Sequence, residues 1–498
     1  MKRLKPIMLG GTGSDVGKSV ITAGLCRIFR QDGYSPAPFK AQNMALNSYV
    51  TPDGLELGRA QAVQAEAAGV ECEACMNPVL LKPTGDMDSQ VVVLGRVVAD
   101  MNARRYFRED NRRRLAAVAH GAFDRLSARY NPVVMEGAGS IAEINLMETD
   151  IVNIPMARYA DAAVILVADI DRGGVFASVY GSIMLQRESD RRLIKGIIIN
   201  KFRGDISLFE EGRRELERLC GVPVLGVVPY LRDVHIEDED SVSVLKRNTR
   251  AADCGTRVNV AVVALRHMSN FTDFDTLVRD GRLHVYFTCD PDHIRRADYI
   301  ILPGSKNTIS DLRRLKEEGA AEAVLDAHRH GAGVLGICGG YQMLGRRIAD
   351  PEGMEGEPTE EEGLGLLDTV TVLTTEKHLA RVRFTYRGCQ SVHEGYEVHM
   401  GATEVPEDAE RPIELADGTP DGCTDGARVT GTYIHGFLDD PEVTDSLLGD
   451  WLARKGLPAE SGMESHAVYK QRQYDMLAAR LRECLDMEKL YDILTQQD

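Results

Sequence analysis

The sequence predicts an α/β protein in which two mostly parallel sheets, each covered by helices, are fused in one chain. Three observations carry that reading. At 498 residues the chain exceeds what a single hydrophobic core organises. Short apolar runs alternate with helical stretches through both halves, the pattern of a parallel sheet covered on both faces. Two of those runs, Ile7–Leu9 and Gly333–Ile337, lead straight into glycine-rich turns that open a helix. The expected division is a first domain over 1–235, a linker over 236–256, a second domain over 257–445 and a helical C-terminal segment over 446–498.

Composition narrows the class. Hydrophobic residues make up 43% and charged residues 27%, as in globular proteins generally. The net charge of −17 repels phosphate backbones, which argues against a nucleic-acid partner. No run of about 20 apolar residues and no signal pattern at Met1–Lys5 is present, so no membrane partner and a cytoplasmic location are expected. Ten cysteines are spread over the chain rather than packed into a framework. Cys72 and Cys75 have C-x-x-C spacing without a second pair, and read as structural. Nothing specifies an oligomeric state.

In the first domain, the strand Ile7–Leu9 meets Gly10, Gly11 and Gly13, and Gly17-Lys18-Ser19 opens a helix with Ile21, Leu25, Ile28 and Phe29 on one face. Strand, glycine loop and helix N-terminus together make a phosphate site. Backbone N–H groups point inward, the helix dipole favours anions, and a lysine reaches over the phosphates. Gly11, Thr12, Gly13, Asp15, Val16, Gly17, Lys18 and Ser19 form the candidate ATP loop, with the Ser19 hydroxyl available to Mg2+. The spacing departs from G-x-x-x-x-G-K-[ST], because Thr12 stands where glycine is usual and Gly11 precedes it. A second strand over Ser35–Phe39 ends at Lys40, Gln42 and Asn43, polar groups suited to an anionic substrate at a sheet's carboxyl edge. The 58–68 helix carries Arg59, Gln61 and Gln64, and Arg104–Tyr130 reads as a charged scaffold helix. Pro132–Glu136 is a buried strand that delivers Glu136 to the same edge, where P-loop proteins hold magnesium. Strands at Ala162–Ala168, Ile197–Asn200 and Val222–Val227 complete the sheet, with Asn200 placed to read an adenine edge. The acidic run Glu237–Asp240 and the polar stretch after Lys246 mark the linker.

In the second domain, strands are expected at Val258 onward and Asp298–Leu302, followed by one helix over Thr308–Leu325. Gly333–Gln342 then puts Cys338 at a sharp strand-to-helix turn followed by Gly339 and Gly340. A thiolate is the nucleophile in such chemistry, and a helix N-terminus with a nearby histidine favours it. Gly431–Phe437 offers His435 at the end of an apolar strand, and His393–Gly401 offers two rival histidines that better suit a pocket wall. Gly304, Ser305 and the N–H of Gly339 are the expected oxyanion donors. Val443 to the end reads as a helical packing segment.

The Gly11–Ser19 loop resembles the variant P-loop of the dethiobiotin-synthetase-like group, and Cys338 with His435 resembles a class I glutamine amidotransferase-like α/β domain. The fused order is similar to the cobyric acid synthase family, with FKAQNMALNS, MNPVLLKP, EGAGSIAEINL, DIDRGGVF, NKFRGD, LPGSKNT, GICGGYQMLG, HEGYEVHMG and GTYIHGF between residues 10 and 437. That resemblance implies amidation of the b, d, e and g carboxylates of adenosylcobyrinic acid a,c-diamide, with glutamine, ATP and Mg2+ and a corrinoid partner. One position departs from ordinary class I amidotransferases. Phe437 stands two residues after the histidine, where they carry glutamate, so a Cys338–His435 dyad is expected, with His435 oriented by a group the sequence does not name. The a,c-diamide synthase of the same pathway and a partition-type ATP switch with an inert second domain are the alternative readings.

Overall fold

The computed structural model describes residues 2–83, 88–102, 109–237, 255–387 and 389–496. Most of the expected linker therefore lies outside the described residues. The chain divides into two compact units, one of Met1–Ala45, Leu55–Ile236 and Lys470–Asp498, the other of Leu46–Gly54 and Glu237–Tyr469.

The first unit is built on a six-stranded sheet. Its order from one edge is Val224–Pro229, Ile194–Phe202, Ala163–Asp169, Ile7–Gly11, Val133–Glu136 and Ala37–Phe39. All neighbours are parallel. The strands are nearly continuous apolar runs because helices bury both faces. Register brings the chemistry to one edge: Leu9 pairs with Glu136, Gly11 with Val167, and Asp169 with Asn200. The strand order reverses around Ile7–Gly11, which opens a ligand crevice at that strand's carboxyl end. A smaller sheet joins Gln42–Met44, Val79–Pro83, Asp88–Val93 and Arg96–Asn102. The scaffold helix is Glu109–Ser127, with Leu115, Ala119, Ala122, Phe123 and Leu126 buried along one face; 103–108 lie outside the described residues.

The C-terminal segment is not one packing element. Pro441–Arg454 belongs to the second unit, where Trp451 meets Tyr299 edge-on at 4.9 Å. Residues 470–498 belong to the first. There Tyr474, Leu477, Ala478 and Leu481 enter the core around the Lys18–Gln31 helix. Gly24 of that helix clears the space: a Cβ on it would lie 2.3 Å from Leu481. Asp486 N–H then bonds Leu225 O (2.7 Å) and Lys5 N–H bonds Leu494 O (2.8 Å). Amphipathic pattern alone could not assign this stretch, since its apolar face fits either core.

In the second unit the main sheet runs Leu283–Thr288, Val258–Val263, Tyr299–Leu302, Gly333–Ile337, Val429–Thr432 and Cys423–Thr424. Only the last pair is antiparallel. A second sheet is dominated by the hairpin of Val370–Tyr386 and His393–Glu404, against which Ile434–His435 pairs. The single helix expected over Thr308–Leu325 is two, Thr308–Glu317 and Ala320–Arg329, broken at Gly319 (φ 76°). No helix among the described residues is long and apolar enough to cross a membrane.

Candidate active site

Each unit gathers its predicted residues at the carboxyl edge of its main sheet. In the first, the glycine loop is tied down on both sides. Thr12 N–H donates to Val167 O (3.0 Å) and Ile141 N–H to Gly11 O (2.9 Å). Gly17 caps the helix with φ 96°, and Asp15 also sits at positive φ, 56°. Lys18 Nζ donates to Gly13 O and Gly139 O, both at 2.9 Å, and so spans the mouth of the loop. Asn200 contacts the loop directly. Its amide nitrogen donates to Val16 O (2.8 Å) and lies where a Cβ on Gly17 would be, so the amide braces the loop from beneath.

Glu136 is the hub of this site. Its Oε1 accepts from the Ser19 hydroxyl and from Lys40 Nζ, each at 2.9 Å, and its Oε2 from Gln64 at 2.6 Å. Burial alone would raise the carboxyl pKa, but the Lys40 ammonium, the Gln64 amide and Lys18 outweigh it and hold the group below the usual range. The result is a buried carboxylate (1% exposed) kept ionised. Carboxylate and hydroxyl oxygens in contact suit a hard cation such as Mg2+, and the Lys40 ammonium already rests on the same oxygen. Asn43 donates to Gln61 Oε1 (3.2 Å), Gln42 accepts from Arg112 (3.2 Å), and Arg59 is buried. The 59–68 helix is thus a buried wall of the site rather than a surface element. Asn77, not singled out in the sequence, ties Lys40 O (3.1 Å) and Gly58 N–H (3.1 Å) together.

In the second unit Cys338 stands at the turn between Gly333–Ile337 and Gly339–Leu344, with φ 51° and ψ −109°. A non-glycine residue there is strained, and its surroundings hold it. A Cβ on Gly340 would sit 1.9 Å from Leu302 O, and one on Gly336 2.6 Å from Gly340 O. The thiol donates to Val398 O at 3.5 Å. The oxyanion candidates converge on this turn: Ser305 N lies 2.8 Å from where a Cβ on Gly339 would be, and His435 Cε1 3.2 Å from the same point on Gly304. Ser305 itself is held by Asp311 (2.6 Å).

An orienting partner for His435 is present here. His435, fully buried, meets Asp273: Nδ1 and Oδ2 are 2.7 Å apart, and Gly436 N–H donates to Oδ1 at 2.9 Å. Burial opposes charge on the ring, but Asp273 and Cys338 outweigh it and lift the imidazole to about 10. Asp273 comes from the Phe271–Phe274 turn, 162 residues earlier, a partner no local spacing could announce. The rival histidines are placed elsewhere. His399 bonds Gly401 O (2.8 Å), stacks on Tyr433 at 3.8 Å and is pushed down to about 4 by burial. His393 lies beside Asp440 at 3.3 Å.

Comparison with known proteins agrees with both halves. Residues 7–244 match the CobQ/CobB/MinD/ParA nucleotide binding domain, and residues 259–443 the CobB/CobQ-like glutamine amidotransferase domain. Cobyric acid synthase of Phocaeicola vulgatus is 56% identical over 504 residues, and that of Bacteroides fragilis 57% over 499, each covering 100% of both chains. That of Streptococcus sanguinis is 48% identical over 99% of this chain and all of its own. With a nucleotide-binding unit, an amidotransferase unit and full-length relatives of this similarity, the chain belongs to the cobyric acid synthase family of glutamine-dependent amidoligases.

Proposed function

We propose that the chain amidates the b, d, e and g carboxylates of adenosylcobyrinic acid a,c-diamide with ammonia from glutamine, at the expense of ATP. The observation that carries the reading is the Asp273–His435–Cys338 arrangement in a chain that also bears the Lys18–Ser19–Glu136–Lys40 cluster. One centre can release nitrogen and the other can handle phosphate.

The Cys338 thiolate attacks the glutamine side-chain carbonyl. The oxyanion is met by N–H groups of Gly339 and the Gly304–Ser305 turn. His435, kept in one orientation by Asp273, protonates the leaving nitrogen; ammonia departs and a thioester remains. Water then gives a proton to His435 and releases glutamate and the thiolate. A carboxylate is a poor electrophile, because oxide cannot leave. The corrinoid carboxylate therefore attacks the γ-phosphorus of ATP, ADP leaves, and ammonia displaces phosphate from the acyl phosphate. Gly11–Gly17 would bind the phosphates through backbone N–H groups, with Lys18 over them. Ser19 and Glu136 would hold Mg2+, which when bound neutralises phosphate charge. Lys40, released from Glu136, and Gln42, Asn43 and Arg59 would meet the anionic substrate.

Cys338→Ala should abolish glutamine-dependent amidation and leave synthesis from ammonium salts. Loss of both would overturn the separation of the two centres. Lys18→Ala should silence both nitrogen sources. Labelled oxygen in the substrate carboxylate should appear in the released phosphate, and its absence would exclude the acyl phosphate.

A further inference from the structure

Residues 46–54 are the one stretch of the first 236 residues that belongs to the second unit. They follow the Lys40–Asn43 run after only Met44 and Ala45. Within the second unit they touch the supports of all three residues of the glutamine site. Ser48 N–H donates to Asn270 Oδ1 at 3.2 Å. Asn270, at φ 52°, starts the turn that carries Asp273, and its carbonyl accepts from Asp273 N–H at 3.1 Å. Tyr49 packs edge-on against Tyr396 at 5.0 Å, and Tyr396 stacks on the His435 ring at 5.3 Å. Val50 is fully buried against Tyr396 and Val398, and Val398 O is the acceptor of the Cys338 thiol. Tyr49 is held in turn: Arg381 donates to its hydroxyl at 2.8 Å and lies 5.4 Å over its ring.

A surface loop needs none of this. Its polar backbone would face water, and its side chains would not converge on one triad. We infer that Leu46–Gly54 is a positioning strap for glutamine hydrolysis: Ser48 fixes the Asp273 turn, and Tyr49 and Val50 fix Tyr396 and Val398, which set His435 and Cys338. Ser48, Tyr49 and Val50 are positioning residues, none of them in contact with the reacting atoms. The strap rests on the glutamine-hydrolysing role of Cys338 proposed above. Because it continues directly from the Lys40–Asn43 run, the chain itself connects the predicted acid-binding residues to the alignment of the nitrogen-releasing centre.

The test uses the full chain, with glutamate release, glutamine-dependent amidation and ammonium-dependent amidation measured side by side. Tyr49→Ala removes the ring. Asn270→Gly removes the Ser48 acceptor while tolerating positive φ. Each should lower glutamine-dependent kcat by about tenfold or more, as ångström-scale misplacement of reacting groups does. Ammonium-dependent synthesis should stay within about twofold, a split that general destabilisation would not produce. The basic limb of the pH profile of glutamate release should also move down from near 10 as the Asp273 contact loosens. Tyr49→Phe, which keeps the ring, should retain most activity. Equal loss from both nitrogen sources, or no loss from either, would overturn the strap. Cys338→Ala run in parallel separates the two ideas. If it still releases glutamate the underlying role fails, whereas a silent Cys338→Ala beside a fully active Tyr49→Ala removes the strap alone.

Discussion

The two glycine turns, Gly10–Ser19 and Gly336–Gly340, look alike in sequence and differ in where the strain falls and in how much room they leave. In the first, positive φ falls on both Gly17 (96°) and Asp15 (56°); a Cβ on Gly10, Gly11 or Gly17 would meet a neighbour within 3 Å, and only one on Gly13 would find nothing nearer than Val16 at 3.9 Å. In the second, the strain falls on Cys338, since the apex must carry a side chain. The glycines there are packing residues with no room for a methyl group. The first turn keeps one open glycine, Gly13, and the second keeps none.

The largest expected effect breaks the crowded turn. Gly340→Ala would drive a methyl group to 1.9 Å from a backbone oxygen, costing more than about 3 kcal/mol. Chemical denaturation should show the amidotransferase unit lost first. Asp273→Asn should leave the turn intact and lower glutamine-dependent kcat by about a hundredfold or more, with ammonium-dependent synthesis spared. It should also flatten a pH dependence. His435 is lifted from 6.5 to about 10 on folding, so its proton stabilises the fold fully below pH 6.5, and that contribution fades as pH rises through 10. Denaturation midpoints of the wild type should fall across that window, and those of Asp273→Asn should fall less. At the open position of the first turn, Gly13→Ala should change stability by less than about 0.5 kcal/mol yet raise the KM for ATP, since the methyl group would enter only the proposed ligand's space. One expected change in stability is a gain. Cys338→Gly relieves the strained apex and should add about 1 kcal/mol to stability while ending glutamine hydrolysis, measured by thermal unfolding.

Much of this was legible in the residues. Both main sheets and the convergence of Lys18, Ser19 and Glu136 follow from apolar runs ending in glycines, because parallel strands deliver their carboxyl ends to one edge. What was not legible depends on contacts far apart in the chain. Asp273 reaches His435 across 162 residues. The bond from the Asn200 amide to Val16 O, 184 residues apart, was equally hidden. The helix break at Gly319 needed only one glycine inside a strongly amphipathic run. The fate of residues 470–498 was hidden for the same reason as that of Leu46–Gly54: an apolar face does not say which core it fills.

That return of the last helices to the first unit has a consequence for synthesis on the ribosome. The nucleotide-binding half emerges first, but Leu477, Leu481 and Leu494, which close its core, emerge after the whole amidotransferase half. The half begun earliest is therefore completed last. A premature stop just beyond residue 469 would cripple the nucleotide-binding half while leaving the amidotransferase half, whose sequence is by then all translated, able to form.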